Sequence, residues 1–219
     1  MNDYKINYDI LNSGDNCMEI KRFVLGPIQS NCYIVSKDQE ALIIDPGFPE
    51  KVLIEYLEKN KLTPKFVYLT HGHFDHWGGL KMLKNQYPNL IACAPTKDQV
   101  WLTEGEYNRW GYEAPIDQYV DENDKIMFGG KTFNIMETPG HSNGGTILYT
   151  DTFAFTGDTL FYQTVGRTDI PFSDMRTLYF SIKRMFNELD DQLICYPGHG
   201  RETSIGHEKK YNPFVRQKA

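Results

Sequence analysis

Five of the six histidines in this 219-residue chain stand in short loops that follow apolar runs. His71, His73 and His76 lie in Thr70-His71-Gly72-His73-Phe74-Asp75-His76, His141 in Pro139-Gly140-His141-Ser142, and His199 in Pro197-Gly198-His199-Gly200. Asp75 belongs to the first cluster, and Asp158 ends another apolar run in Thr156-Gly157-Asp158. Crowding imidazoles and a carboxylate directly behind a strand is costly unless a cation shares their lone pairs. His71 and His73 are two apart and can reach one ion from an extended or turning backbone. Asp75 and His76 can point to a second. Neither group completes a tetrahedron, so the remaining donors must come from distant loops, and His141, Asp158 and His199 are the candidates. Seven donors suit two divalent ions that share one carboxylate. With no thiolate in the set, zinc is the expected metal, with iron or manganese as alternatives.

Strands and helices have to bring these loops together. Residues 19–25, 32–35, 41–44, 65–70 and 90–93 read as strands, the last four strongly apolar. Val52, Leu53, Tyr56 and Leu57 recur at helical spacing, and a second helix carries Leu80 and Leu83 and must stop before Pro88. Residues 125–128 and 132–137 flank Gly129-Gly130, a hairpin signal, and 146–149 and 153–156 are further strands. A helix over 174–189 presents Met175, Leu178, Ile182, Met185, Phe186 and Leu189 on one side, capped by Asp174 or Ser173. Residues 192–196 form a last strand, with a short helix in the tail before Asn212-Pro213. The segment 101–116 is an irregular aromatic stretch that reads as a lid or an interface. Strands and helices in this order, with hairpins among them, predict an α/β protein with two mixed sheets inside and helices outside.

Composition narrows the function. The chain has 29 acidic against 23 basic residues and a formal charge of -6, which weighs against nucleic acid or an anionic membrane as partner. Its four cysteines, Cys17, Cys32, Cys93 and Cys195, are widely spaced and form no Cys-x-x-Cys pair, so a disulfide scaffold is not expected. The first residues carry acids where a signal peptide needs basic and apolar ones, and no run is long enough for a membrane span. The expected location is the cytoplasm. Nothing in the sequence specifies an oligomeric state.

The run Thr70 to His76, followed in order by Gly140-His141, Gly157-Asp158 and Gly198-His199, resembles the motif set of the metallo-β-lactamase superfamily. The resemblance spans about 38–206 and implies a four-layer αββα sandwich with the site at one edge between the sheets. It covers 1–219 as one such domain. It implies that His71, His73 and His141 hold one metal, that Asp75, His76 and His199 hold the second, and that Asp158 bridges them. Antibiotic-hydrolysing members usually carry cysteine or serine in place of Asp158. Gly157-Asp158-Thr159-Leu160-Phe161, Gly166-Arg167-Thr168-Asp169 and Asn212-Pro213-Phe214 instead resemble short bacterial relatives of glyoxalase II, without that group's separate C-terminal helical region for glutathione.

The implied activity is hydrolysis of a small thioester of the hydroxyacyl-glutathione kind. A bridging hydroxide would attack the carbonyl, with Asp75 and Asp158 as the catalytic carboxylates. Two ions at +4, set against Asp75, Asp158 and one hydroxide at -3, leave about +1, which favours an anionic small-molecule substrate. Asp45, after the apolar run 41–44, is expected to orient a histidine, and Ser142 to be a turn residue or a supporting donor. Arg167 is the candidate substrate contact, or else an ion-pair partner of Asp169 or Asp174. Asn143, Tyr162, Trp110 and Tyr112 are candidates for lining a pocket, and His207 for a surface or helix-cap position. A lactone or ester hydrolase and a persulfide dioxygenase with one iron are the alternative enzymes. A non-catalytic metal module fits less well, because a structural site needs only four ligands.

Overall fold

The computed structural model describes residues 8–11, 18–103 and 105–216. The readings of the first seven residues and of Cys17 lie outside them. Seven strands form one mixed sheet in sequence order: β1 (Tyr8–Leu11), β2 (Met18–Leu25), β3 (Ser30–Lys37), β4 (Glu40–Ile44), β5 (Thr63–Tyr68), β6 (Ile91–Pro95) and β7 (Gln118–Val120). The first four pair antiparallel, and β4 to β7 run parallel. The second sheet takes β8 (Lys125–Phe128), β9 (Lys131–Glu137), β10 (Thr146–Tyr149), β11 (Phe153–Gly157), β14 (Ile194–Pro197) and β15 (Thr203–Ser204) in the order β15-β14-β11-β10-β9-β8. Only the β11–β14 pair in it is parallel. A small hairpin, β12 (Leu160–Phe161) and β13 (Thr164–Val165), stands apart.

Alternation along the strands explains the layers. Cys32, Ile34, Ala41 and Ile43 pack outward under helices α1 (Val52–Lys59), α2 (Phe74–Trp77) and α3 (Leu80–Gln86). Their neighbours Tyr33, Val35, Leu42 and Ile44 point the other way, onto Phe133, Ile135, Leu148, Phe153 and Phe155 of the second sheet. Because both faces are covered, β3 and β4 read as continuous apolar runs rather than alternating ones. The outer face of the second sheet, Met136, Ile147, Ala154 and Cys195, packs under Leu178, Ile182, Met185 and Phe186. These lie on α5 (Met175–Glu188), whose first turn is capped by the Asp174 side chain accepting from the Thr177 amide. Helix, sheet, sheet, helix is the expected four-layer αββα sandwich.

Local departures from the sequence expectations have local causes. β5 ends at Tyr68 instead of residue 70, because Leu69 to His73 already belong to the loop that carries the first cluster. Met175 is exposed, since the apolar stripe of α5 begins one turn later, at Leu178. In the tail, α6 (Ile205–Tyr211) is followed by a second helix, α7 (Pro213–Arg216), with Pro213 at its first position. Between α4 (Gln99–Leu102) and β7, the described part of 101–116 is held by Asn108, whose side-chain amide donates to the carbonyls of Thr103 and Tyr112 at 3.1 and 2.8 Å. Trp110 from this segment stacks edge-on against Phe48 and Trp77, and Tyr112 against Trp77. The segment therefore packs onto α2 as a fixed wall. Among the described residues, no helix is long and apolar enough to cross a membrane.

Candidate metal centre

All the chemistry-bearing loops leave one edge of the sandwich, mostly at the carboxyl ends of strands, where α/β sheets characteristically place their sites. Asp45 follows β4, His71 and His73 follow β5, Asp158 follows β11, His199 follows β14, and His141 lies between β9 and β10. Asp75 and His76 sit on α2, a single helical turn. Candidate ligand atoms lie within 4.8 Å of one another in three sets among the described residues: Asp45 with His71 and His76, and the two donor groups expected from the sequence, His71 with His73 and His141, and Asp75 with His76 and His199. Asp158 stands between them. Its Oδ1 lies 3.5 Å from His76 Nε2, and its Oδ2 lies 3.4 Å from His141 Nε2 and 3.5 Å from His199 Nε2. The sequence alone named these seven residues, and the fold brings them together.

Hydrogen bonds behind the rings decide which nitrogen faces inward. The Thr70 amide and hydroxyl donate to Asp45 at 2.8 and 2.7 Å. With its proton committed there, the Thr70 oxygen accepts from His71 Nδ1 at 3.1 Å. His76 Nδ1 donates to Asp45 at 3.0 Å, and His141 Nδ1 to the Arg167 carbonyl at 2.8 Å. His71 and His141 are thus left with an Nε2 lone pair toward the centre, and His76 turns its Nε2 the same way. Asp45 has φ 49, a left-handed conformation that aspartate tolerates better than most side chains.

The electrostatics match a cation between the groups. Burial and the neighbouring imidazoles hold His71 well below the ordinary histidine range and push His73 down to about 2, so both stay neutral, the form that binds metal. Burial opposes ionisation of Asp75, but His76 and His199 outweigh it and hold that carboxyl well below its usual range. Burial likewise disfavours charge on His76, yet Asp158, Asp75 and Asp45 draw it up to about 10. Four buried atoms, His71 Nε2, His73 Nε2, His76 Nε2 and Asp158 Oδ1, have no hydrogen-bond partner in the protein. His76 Nε2 and Asp158 Oδ1 face each other at 3.5 Å, and Asp75 Oδ2 lies 3.7 Å from His76 Nε2 and 3.3 Å from His199 Nε2, a convergence of buried donor atoms that suits a cation. The arrangement is a binuclear metal-binding site, and its all-nitrogen-and-oxygen donors suit zinc, iron and manganese alike.

Close packing supports the loops. A Cβ on Gly198 would lie 2.2 Å from Asp158 Oδ1 and 2.7 Å from the His76 ring, so only glycine lets this backbone run flush with the centre. Gly140 has φ 135, and a Cβ there would meet the α5 backbone at 2.3 Å. The His199 loop is fastened to the other sheet. Asn31 donates to the carbonyls of Pro197 and Gly200 at 2.8 and 2.9 Å, and the Tyr33 hydroxyl to Pro197 at 2.7 Å.

Sequence reasoning missed Asp98. This buried carboxylate accepts from the Gly72 amide at 2.9 Å, the Ser142 hydroxyl at 2.7 Å and the Gly144 amide at 2.6 Å, joining the His71–His73 loop to the His141 loop. Ser142 is thereby a supporting donor. Burial raises the Asp98 carboxyl above its usual range, and the three hydrogen bonds only partly offset that.

A cavity of about 480 Å³ opens over the donors, lined by Phe74, Trp101, Tyr107, Phe161, Val165 and Ile170 among others. Of the three candidate substrate contacts, Arg167 lines this cavity, and Asn143 and Tyr162 do not. The Arg167 guanidinium is exposed and paired with Asp169 at 2.7 Å, the alternative the sequence offered, and its backbone carbonyl accepts from His141. Asn143 is exposed and does not line the cavity. Tyr162, at the β12–β13 turn, is layered between the Arg201 guanidinium at 3.5 Å and the His207 ring, also away from the cavity. His207 is half-buried in the first turn of α6, its amide donating to the capping Ser204.

The pattern of the Metallo-beta-lactamase superfamily matches residues 25–199. The chain belongs to that superfamily. Among its relatives, Hydroxyacylglutathione hydrolase GloC of Haemophilus influenzae is 35% identical over 212 residues, covering 92% of this chain and 100% of that protein. The superfamily member BLEG-1, a B3 metallo-beta-lactamase, has a solved structure that is 35% identical and covers 90% of this chain and 99% of its own, with a TM-score of 0.82. The TTHA1623 protein, solved in a di-iron-bound form, is 30% identical and covers 87% of this chain and 98% of its own, with a TM-score of 0.73. This superfamily member thus carries the binuclear architecture of a metal-dependent hydrolase.

Proposed function

We propose that this protein hydrolyses small acyl thioesters of the hydroxyacyl-glutathione kind in the cytoplasm, as one domain over 1–219. The observation that carries the reading is Asp158, whose carboxylate lies 3.4 Å from His141 of one donor group and 3.5 Å from His76 and His199 of the other. His71, His73 and His141 would hold one divalent ion and Asp75, His76 and His199 the other, zinc being favoured and iron supported by the di-iron neighbour. When bound, such a pair lowers the pKa of water and polarises a carbonyl oxygen. Asp45 and the Arg167 carbonyl keep the imidazoles in the tautomers that present Nε2. Asp75 and Asp158 supply negative charge that offsets part of the ions' own, leaving a positive centre suited to an anionic substrate. The aromatic wall of Phe74, Trp101, Tyr107 and Phe161 holds the substrate's apolar parts and excludes bulk water. The full-length likeness to GloC supports a hydroxyacyl-glutathione substrate.

The BLEG-1 neighbour supports a second reading, hydrolysis of a cyclic amide, despite the aspartate at position 158. Metal content measured alongside turnover separates the readings. Two ions per chain with metal-dependent hydrolysis of a hydroxyacyl thioester is the expected result. Faster cleavage of a cephalosporin than of any thioester would favour the second reading. One iron per chain with oxygen consumption would overturn both.

A further inference from the structure

Two guanidinium groups line the cavity, and their surroundings differ. Arg167 is engaged, its Nε and Nη2 donating to the two oxygens of Asp169 at 2.7 and 2.9 Å. Arg109 has no carboxylate within ion-pair distance among the described residues, although Glu106 and Glu113 are close in sequence. Its guanidinium carbon lies 4.9 Å over the ring of Phe74, the residue between His73 and Asp75. The backbone on both sides of Arg109 is fixed. Asn108 is buried and bonded to three carbonyls of its own loop, and the Trp110 indole donates to the Phe74 carbonyl at 2.6 Å. Among the described residues, the carboxylates lining the cavity are Asp75 and Asp158, and both stand within the donor cluster.

We infer that Arg109 is a specificity-determining residue that binds a carboxylate on the substrate, away from the scissile bond. A guanidinium resting on an aromatic face keeps its N–H edge free for a bidentate carboxylate, and the ring limits the rotamers it must give up. The apolar cavity around it strengthens that pair relative to one in open water. Arg109 would act on the thioester substrate proposed above, so its part in turnover rests on that reading, while its carboxylate binding does not.

Binding and turnover are measured with matched probes. Calorimetry on the zinc-loaded protein compares S-methyl-N-acetylcysteine with its primary amide, which lacks the negative charge but has the same shape. The wild type is expected to prefer the acid by about tenfold, less at high salt. R109Q should bind both alike, R109K should keep part of the preference, and R167Q should keep it. With lactoyl thioesters of N-acetylcysteine and of its amide, R109Q should raise KM for the acid form alone and leave kcat unchanged. A wild type that does not distinguish acid from amide, or a preference that survives in R109Q or disappears in R167Q, overturns the assignment. An acid preference that depends on Arg109, with neither thioester hydrolysed, would uphold the assignment and overturn the thioester reading.

Discussion

The hydroxyl of Ser142 donates a 2.7 Å hydrogen bond to the buried carboxylate of Asp98, 44 positions away in the chain. The same carboxylate holds the Gly72 and Gly144 amides, so one side chain sets the spacing between the two loops that carry His71, His73 and His141. D98A would leave three buried donors without acceptors and should cost about 3 kcal/mol of stability. D98N keeps the shape and an acceptor oxygen and should cost less. Urea unfolding of the metal-free protein reads both, and a D98A midpoint equal to that of the wild type would refute the bracing role.

D158A is expected to retain fewer than two ions per chain and to lose about a hundredfold or more in turnover. Elemental analysis of the purified variant, alongside its hydrolysis rate, tests this. Two ions and full activity would remove Asp158 from its place between the groups.

Asp45 touches His76 directly and His71 through Thr70, so its effect should appear in metal affinity rather than in folding. D45N would present an amide to groups that need an acceptor, and a roughly ten- to hundredfold loss of affinity is expected. Competition against a chelator of known strength measures it. Unchanged affinity would mean that the ring orientation is set elsewhere.

Glu122, in the turn between β7 and β8, pairs with Arg184 of α5, with Arg184 Nη1 2.8 Å from Oε2. The Arg184 hydrogen bonds outweigh partial burial and hold the Glu122 carboxyl below its usual range. A depressed folded-state pKa adds stability that is present above the unfolded value, about pH 4.5, and lost as pH falls through the folded value. The pair is partly exposed, so the effect is modest. E122Q should therefore melt below the wild type at neutral pH, with the gap closing in acid. A gap independent of pH would exclude the ion pair as its source.

Much of this was legible from local sequence. Thr70 to His76 brings four donors out of one strand end, and short-range spacing is enough to divide them between two ions. The layers were legible too, since β3 and β4 are apolar at successive positions and only a strand covered on both faces buries all of them. Asp98 was not. It sits in Thr96-Lys97-Asp98-Gln99 with no local mark, and its partners lie 26, 44 and 46 residues away. Arg167 was open to two readings, a substrate contact or an ion pair with Asp169 or Asp174, and only the fold pairs it with Asp169 while keeping it on the cavity wall.

The chain by itself determined which donors exist, their chemical kind and the αββα layering, because residue type and short periodicity govern ligand chemistry and burial. Only the tertiary structure decided which ring nitrogen faces the centre, which buried carboxylate braces the histidine loops and which of the two cavity arginines, among the described residues, has no carboxylate beside it. Those outcomes depend on hydrogen bonds and ion pairs between loops far apart in sequence, and their geometry exists only once both sheets have packed.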